Sequence, residues 1–362
     1  MPSKEDIRKI RVLVVDDSAV VRQALHAILS SDSNIMASVA SDPVIAFSKI
    51  EKELPNVVIT DLEMPRMDGL AFLTKLMESD KPLPVIVCSG LAESGSERAL
   101  SALALGAVDV IAKPKIGVRD FLHESAVMLL DSVWAAANAN VRARKTIPVT
   151  TAHSADVILP PLRQAKAKTK TEPILAIAAS TGGTEALEQL MASMPPSCPP
   201  IVIVQHMPEV FTQTFAARLD RVCSIDVKEA AHGDLLLRGR ALIAPGNRHL
   251  LLRSSGLGYF VEVHDGPLVS RHRPSADVLF RSVARAAGEN ALGVIMTGMG
   301  ADGAEGLLEM RKTGAATIAQ DESTCVVFGM PREAIQLGAA QHVLPLGQIA
   351  RAALTICEAK GQ

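Results

Sequence analysis

The sequence predicts an α/β protein with two domains, each built around a doubly wound parallel sheet. The chain has 362 residues, more than a single hydrophobic core usually accommodates. Short β-branched apolar runs alternate with helix-like segments in both halves, a pattern typical of parallel strands joined by helices. A polar, basic stretch separates the two series. We therefore expect a first domain over residues 1–130, a linker over 131–172 and a second domain over 173–362.

The first domain contains four apolar runs that each end in a turn signal. They are short and rich in β-branched residues, which favours buried strands over helices. The predicted strands are Ile10–Val15, Asn56–Thr60, Val85–Cys88 and Val108–Ala112. Helical periodicity between the strands predicts helices over Val20–Leu29 and Leu70–Met77.

The second domain repeats the alternation of strand and helix. Buried strands are predicted over Ile174–Ala179, Pro200–Val204 and Ala291–Met296, with a helix over Thr184–Met194. Two more segments, Leu235–Ala244 and Leu250–His264, have strand character and predict an added antiparallel hairpin.

The composition excludes several classes of protein. A net charge of −2 argues against a basic surface for nucleic acid or acidic lipid. No apolar run approaches the ~20 residues of a membrane span, and the first residues lack the apolar core of a signal peptide. Five scattered cysteines without a CxxC pair indicate reduced thiols. We expect a cytoplasmic protein that binds no nucleic acid and does not insert into a membrane.

Polar residues follow all four predicted strands of the first domain. Asp16 and Asp17 follow the first strand, Asp61 the second, Ser89 the third and Lys113 the fourth. Since the carboxyl ends of parallel strands converge on one crevice, three carboxylates there would repel unless they bind a hard cation such as Mg²⁺. A hydroxyl and an ammonium complete a phosphoryl-binding site. The alternative is a set of helix caps and turn residues, which five residues at four strand ends disfavour.

These residues, with Asp-Leu-Glu-Met-Pro-Arg-Met-Asp-Gly over 61–69, resemble the response-regulator receiver family across residues 9–130. The resemblance implies a flavodoxin-like fold in which a histidine kinase phosphorylates Asp61. It also implies Mg²⁺ binding by Asp16, Asp17 and Asp61, a switch role for Ser89 and a phosphate contact from Lys113. Receivers often carry an aromatic residue where this chain has Val110, so we expect switching through Ser89 and loop movement.

A serine follows the first strand of the second domain, in the sequence Ser180-Thr-Gly-Gly183. Two glycines allow close approach of a ligand, and the following helix supplies free N–H groups. Two interpretations remain open on these residues alone. The loop binds phosphate, or Ser180 is a nucleophile with backbone donors nearby. Ala178 stands where a hydrolase elbow usually has glycine.

A nucleophilic serine needs a base, and the base needs an orienting group. His206 follows the next predicted strand, and Asp302 lies in Thr-Gly-Met-Gly-Ala-Asp-Gly after a third strand. The alternatives are a hydrogen-bonded loop histidine and a glycine-rich phosphate nest in which Asp302 is a helix cap. The other histidines lie on predicted loops or hairpin ends without zinc-ligand spacing, so we expect no zinc site: His232, His249, His264 and His272.

Six motifs in order across residues 173–355 resemble the CheB family of chemotaxis protein-glutamate methylesterases. They are Ser180-Thr-Gly-Gly-Thr-Glu185, Gln205-His-Met-Pro208, Ala244-Pro-Gly-Asn247, Arg273-Pro-Ser-Ala-Asp-Val-Leu-Phe280, Met296-Thr-Gly-Met-Gly-Ala-Asp-Gly303 and Ala319-Gln-Asp-Glu-Ser-Thr-Cys-Val-Val-Phe-Gly-Met-Pro331. The resemblance implies a Rossmann-like methylesterase domain whose substrate is a methylated glutamate, or a glutamine, on a chemoreceptor.

The same resemblance implies a Ser180–His206–Asp302 triad that needs no cofactor for ester hydrolysis. Backbone N–H groups near Met299 and the Ser180 loop would bind the oxyanion, and Thr181 would support the site. We expect a monomer in which the unphosphorylated receiver covers the Ser180 crevice. Two rival functions are a nucleotide binder built on the glycine-rich loops and a transcriptional regulator, which the absence of a basic recognition helix disfavours.

Overall fold

The computed structural model describes residues 9–64, 67–79, 81–90, 93–113, 119–139, 155, 158–159, 172–256 and 258–361. The chain divides into two compact units, Met1–Ala143 and Arg144–Gln362. Each unit contains its own parallel sheet with helices packed against it. The fold class is therefore the predicted one. No helix within these described ranges is long and apolar enough to cross a membrane.

The first unit has five parallel strands in the order β2-β1-β3-β4-β5. Its elements are β1 Ile10–Val15, α1 Ala19–Leu29, β2 Ile35–Ala40, α2 Pro43–Lys52, β3 Val57–Thr60, α3 Gly69–Met77, β4 Val85–Ser89, α4 Glu93–Ala104, β5 Asp109–Ala112 and α5 Arg119–Asn138. The four predicted strands are present, but β2 was not predicted. It is an edge strand with only two of its six residues buried, so it lacks the apolar run that identifies the others.

The second unit has seven parallel strands in the order β14-β13-β12-β6-β7-β9-β8, and a separate antiparallel pair, β10 and β11. Its elements are β6 Ile174–Ala179, α6 Gly183–Ala192, β7 Ile201–Gln205, α7 Glu209–Val222, β8 Asp226–Glu229, β9 Arg240–Ile243, β10 His249–Ser255, β11 Gly258–His264, α8 Ala276–Ala286, β12 Ala291–Ile295, α9 Ala304–Lys312, β13 Ala316–Gln320, α10 Met330–Gln336, β14 His342–Leu344 and α11 Leu346–Gly361. A short 3-10 helix, Gly288–Asn290, precedes β12.

The added hairpin lies within one of the two segments predicted for it. Leu250–His264 contains most of β10 and all of β11, which pair antiparallel over seven residues each. The start of the other segment, Leu235–Ala244, pairs with this hairpin, because Leu235 forms an isolated antiparallel bridge with Phe260 of β11 and the Leu236 N–H donates to the carbonyl of Tyr259 at 3.0 Å. Only Arg240–Ile243 is a strand, and it joins the parallel sheet between β7 and β8. Gly239, with φ 69°, turns the chain into that strand.

The C-terminal part of the predicted linker includes residues that pack into the second unit. Ala155 and Leu159 are buried in a small apolar cluster. Their partners in that cluster are Leu251, Val269 and Val278. The buried guanidinium of Arg281 donates a hydrogen bond to the carbonyl of Leu159 at 2.9 Å. This end of the segment therefore contributes to the core of the second unit.

Candidate active site

The second sheet reverses its strand order at β6, and such a switch point is where open parallel sheets bind ligands. β6 lies between β7 and β12. Ser180 follows β6, His206 follows β7, and Asp302 lies in the loop between β12 and α9. The three residues of the predicted triad therefore lie at the same edge of the sheet.

Ser180 and His206 are held next to each other by their backbones. The backbone N–H of His206 donates to the carbonyl of Ala179 at 3.1 Å. The side-chain amide nitrogen of Gln205 donates to the carbonyl of Ser180 at 2.9 Å and to that of His206 at 3.2 Å. One amide therefore fixes the spacing of the candidate nucleophile and base, and only its place before the histidine marks Gln205 in the sequence.

His206 and Asp302 form a buried hydrogen-bonded pair. Nε2 of His206 lies 2.8 Å from Oδ2 of Asp302, and the two side chains are 5% and 0% exposed. Because an ionised carboxylate can only accept, Nε2 carries the hydrogen, and in the neutral imidazole Nδ1 then carries the lone pair. Among the residues that the structure describes, none is a hydrogen-bond partner of this buried Nδ1. An unshared lone pair on an oriented imidazole is what a general base requires.

Asp302 also accepts hydrogen bonds from the beginning of α8. Its Oδ1 accepts from the Ser275 hydroxyl at 2.7 Å and from the Asp277 N–H at 3.1 Å. Its Oδ2 accepts from the Ala276 N–H at 2.7 Å as well as from His206. Burial alone would raise the pKa of Asp302, but the hydrogen bond from His206 and the other donors hold that pKa well below its usual range. The carboxylate therefore stays ionised and fixed in orientation.

Asp277 adjoins Asp302 and behaves in the opposite way. Its Oδ1 accepts from the Gly306 N–H at 2.8 Å, and its Oδ2 accepts from the Ser270 hydroxyl at 3.0 Å. Burial first, and the charge of Asp302 second, raise the pKa of Asp277 well above its usual range. Of the two neighbouring carboxyl groups, Asp302 is therefore the one that ionises more readily.

We expect Asp277→Asn to make the free energy of unfolding less sensitive to rising pH. Because folding raises the pKa of Asp277, its stabilising contribution is present below the unfolded pKa of about 4 and is lost as pH rises toward the folded pKa. Each pH unit in that interval costs the wild type about 1.4 kcal/mol, a loss that Asn avoids. Urea unfolding of both proteins between pH 4 and 9, at about one-unit steps, measures the difference. Parallel curves of unfolding free energy against pH for the two proteins would contradict a raised pKa of Asp277 in the folded state.

The loop that carries the predicted oxyanion residue Met299 lies against Ser180. A Cβ atom at Gly298 would lie 2.7 Å from the Cβ of Ser180, so only glycine fits there. The Thr297 hydroxyl donates to the carbonyl of Thr181 at 2.9 Å and joins this loop to the nucleophile loop. Met299 and Thr181 therefore adjoin the serine, and their roles in the reaction remain predictions.

The structure explains why glycine follows Thr181 without invoking a bound phosphate. Gly182 has φ 76°, a conformation that side chains rarely adopt. A Cβ atom there would lie 2.5 Å from the Cβ of Val326. The close approach that this glycine permits is therefore to the protein itself, which weakens the interpretation of the loop as a phosphate cradle.

A second imidazole lies against His206, and the sequence did not predict it. The rings of His206 and His272 are stacked, with centroids 3.8 Å apart and planes 8° apart. Ligand atoms of His206, His272 and Asp302 lie within 4.8 Å of one another, so the three residues form a candidate metal cluster. However, Nε2 of His206 and both oxygens of Asp302 already take part in hydrogen bonds. We therefore describe the three residues as a His206–Asp302 hydrogen-bonded pair with the ring of His272 stacked on it.

The first unit brings its predicted phosphoryl-site residues to one sheet edge. Nζ of Lys113 lies 2.6 Å from Oδ2 of Asp61 and 3.0 Å from Oδ2 of Asp16. Burial opposes the charge of Lys113, but these two carboxylates outweigh it and raise the pKa of Lys113. Burial raises the pKa of Asp16. Ser89 is buried nearby, and its carbonyl accepts the backbone N–H of Lys113 at 2.9 Å.

The acidic group fits a hard divalent cation. Carboxylate oxygens of Asp16, Asp17 and Asp61 lie within 4.8 Å of one another, and Asp17 is exposed to solvent. Oxygen ligands close to solvent suit Mg²⁺, which keeps several waters. Val110 is buried in β5 and paired with Val87. This position therefore carries no aromatic ring that could act as a switch.

Family models match both units, and a solved structure is similar to about half of the chain. The model for the response regulator receiver domain matches residues 12–122, and the model for CheB methylesterase matches residues 175–353. The crystal structure of the Thermotoga maritima CheB methylesterase catalytic domain is similar, with 37% sequence identity and a TM-score of 0.50. The similarity extends over 51% of this chain and 99% of the Thermotoga maritima domain. The class of protein is therefore a response regulator whose output unit is a methylesterase domain.

Curated relatives extend the similarity over nearly the whole chain. A Geobacter metallireducens protein-glutamate methylesterase/protein-glutamine glutaminase is 58% identical over 358 residues, covering 97% of this chain and all of the relative. One from Anaeromyxobacter dehalogenans is 58% identical over 353 residues, covering 97% of both chains. The chain belongs to the protein-glutamate methylesterase/protein-glutamine glutaminase family.

Proposed function

We propose that the second unit hydrolyses glutamate methyl esters on a chemoreceptor with Ser180 as the nucleophile. The observation that supports this function best is the lone pair on Nδ1 of His206. That nitrogen is buried and oriented through Asp302, on a residue whose backbone adjoins that of Ser180. Family membership supports the ester chemistry.

In the first half of the reaction, Nδ1 of His206 takes the hydroxyl proton as the Ser180 oxygen attacks the ester carbonyl. Asp302 stabilises the positive charge that develops on the imidazole. Backbone N–H groups of the Ser180 loop and of Met299 are the proposed donors to the carbonyl oxygen, and Thr181 supports that loop. His206 then returns the proton to the leaving methoxide, and methanol departs.

In the second half, His206 takes a proton from a water molecule that attacks the acyl-serine, and it returns this proton to the Ser180 oxygen as the free glutamate side chain leaves. A glutamine side chain follows the same route, with ammonia leaving in place of methanol. Either reaction adds one negative charge to the receptor. In both halves the proposed triad transfers one proton at a time through His206, and the reaction needs no cofactor.

The test is incubation with a methylated cytoplasmic fragment of a chemoreceptor. We expect methanol release, and ammonia release from a fragment that carries glutamine at the same positions. Mass spectrometry of the fragment should place every change at a glutamyl side chain. A fragment with aspartate at those positions serves as the control and should release neither product. Failure to release either methanol or ammonia from the reactive fragments would rule out this function.

We further propose that the first unit controls the esterase by accepting a phosphoryl group from a histidine kinase on Asp61. Asp16, Asp17 and Asp61 would hold Mg²⁺, which when bound supplies charge neutralisation for phosphoryl transfer. Lys113 would pair with the phosphoryl oxygens, and Ser89 would bond to them as the switch hydroxyl. The protein would act as a cytoplasmic monomer.

An Asp61→Asn variant should not respond to a small phosphodonor such as acetyl phosphate. The amide cannot accept the phosphoryl group, whereas the wild-type esterase rate should rise by about tenfold or more, as a differential of a few kcal/mol allows. The measurement is methanol release with and without the donor in the presence of Mg²⁺. Asp32→Asn is a matched control because Asp32 lies in the turn between α1 and β2, at the opposite edge of the sheet. A wild-type rate that does not change, with Asp61 demonstrably phosphorylated, would contradict the proposal.

A further inference from the structure

The candidate base is held at one point by Asp302, and a second contact restricts its plane. The hydrogen bond from Nε2 of His206 to Asp302 leaves the ring able to rotate about that contact. The ring of His272 lies parallel to it, with 3.8 Å between centroids and 8° between planes. A flat ring at stacking distance favours a parallel plane for the imidazole of His206. The direction of Nδ1 therefore depends on both contacts.

The turn that carries His272 has an unusual backbone. Ser270 and Arg271 have φ values of 50° and 68°, in the left-handed region that non-glycine residues rarely adopt. Two backbone hydrogen bonds between Val269 and His272, at 3.0 and 2.8 Å, close the turn. The Ser270 hydroxyl joins it to Asp277 on α8 at 3.0 Å. Uncommon conformations that the surroundings fix in this way concentrate at functional sites.

The ring of His272 is also fixed in protonation and tautomer. Its Nδ1 lies 2.8 Å from the carbonyl of Ser270, which can only accept, so Nδ1 carries the hydrogen. Burial first, and the neighbouring His206 second, lower the pKa of His272 to about 3. A neutral ring presents an electron-rich face to His206, which becomes a cation when it takes the serine proton.

We propose that His272 is a positioning residue that holds the imidazole plane of His206, so that Nδ1 keeps one direction while it takes the proton of the Ser180 hydroxyl. It acts through His206 and does not contact the substrate. The proposal rests on the proposed esterase function. In that reaction the expected effect lies in kcat, because a misdirected base slows proton transfer without changing how the receptor binds.

Two substitutions separate the ring from its hydrogen bond. His272→Phe keeps a flat ring for stacking and loses the Nδ1–H donor to Ser270. His272→Asn keeps a donor at about the same place and loses the ring. We expect kcat for methanol release to fall about 30-fold in the Asn variant and no more than about threefold in the Phe variant. KM should stay within about twofold of wild type in both.

His232→Phe is a matched control, because His232 is an exposed histidine on the turn after β8. Thermal unfolding of each variant identifies any loss of fold.

Equal kcat in all variants, equal decreases of kcat in the Phe and Asn variants, or a larger decrease in the Phe variant would overturn the positioning role. So would a raised KM with unchanged kcat in the Asn variant. If the Asn variant does not fold, the test rests on the Phe variant. A kcat of the Phe variant below a tenth of the wild-type value would then overturn the proposal. Methanol release by the wild type, measured first, keeps these outcomes separate from a failure of the esterase function.

Discussion

Replacement of Ser180 by alanine is expected to lower kcat for methanol release about 10⁶-fold, to the detection limit of the assay. The oxygen that forms the acyl-enzyme is lost, and His206 has no hydroxyl to deprotonate. The free energy of unfolding should change by no more than about 0.5 kcal/mol, because the loop is fixed by backbone bonds from Ser180 to Thr297 and Gly183 that alanine retains. Methanol release and urea unfolding of the same preparation measure both quantities.

Ser193→Ala is a suitable control for this variant. Ser193 is an exposed serine at the end of α6, the helix that begins next to Ser180. It should keep wild-type activity. Retention of activity by Ser180→Ala would exclude the serine mechanism, and a water molecule activated directly by His206 would then be the simplest alternative.

An Asp302→Asn variant is expected to lose about 10⁴-fold in kcat. The amide favours the wrong tautomer of His206, because an NH₂ group facing Nε2 moves the imidazole hydrogen to Nδ1. The variant should also lose roughly 3 kcal/mol of stability, since the donors at the start of α8 lose a charged acceptor. Single-turnover methanol release and urea unfolding at neutral pH are the measurements.

The pH dependence of stability distinguishes this role from a generic loss of fold. Folding lowers the pKa of Asp302, so its contribution is present above the unfolded value of about 4 and is lost as pH falls toward the folded pKa. The stability gap between wild type and Asp302→Asn should therefore narrow below about pH 4. Asp234→Asn is a control for kcat: burial opposes the charge of Asp234, but the Ala231 N–H and Lys228 outweigh it and lower the pKa of Asp234 too, so its variant should show a similar trend of stability with pH while keeping wild-type kcat. An Asp302→Asn variant with unchanged kcat would remove Asp302 from the proposed triad.

The residues at strand ends were accessible from sequence because apolar strands are easy to recognise. Ser180 and His206 each directly follow a run that is buried throughout, β6 or β7, and parallel strands bring their carboxyl ends together. The edge strands β8 and β14 were not predicted. Their exposed patterns carry no apolar run, and their pairing depends on the neighbouring strand alone.

His272 could not have been predicted in the same way. It arrives on a connection between β11 and α8, where neither strand nor helix periodicity fixes a direction. Its stacking on His206 depends on a turn with positive φ at two ordinary residues, Ser270 and Arg271, which no residue type signals. The bonds from Asp302 to the start of α8 depend likewise on packing between elements distant in sequence. Ser275, ahead of an apolar helical pattern, is the one local sign of a helix start there.

The position of β6 at the centre of the second sheet affects when activity can arise during synthesis. Ser180 and His206, the proposed nucleophile and base, precede the added hairpin in the chain, while Asp302 follows β12, on the other flank of β6. A nascent chain that has emerged only through β11 holds the serine and histidine without the aspartate that orients them. Such a chain lacks one member of the proposed triad, so we expect no esterase activity before β12 and the loop that carries Asp302 have been synthesised.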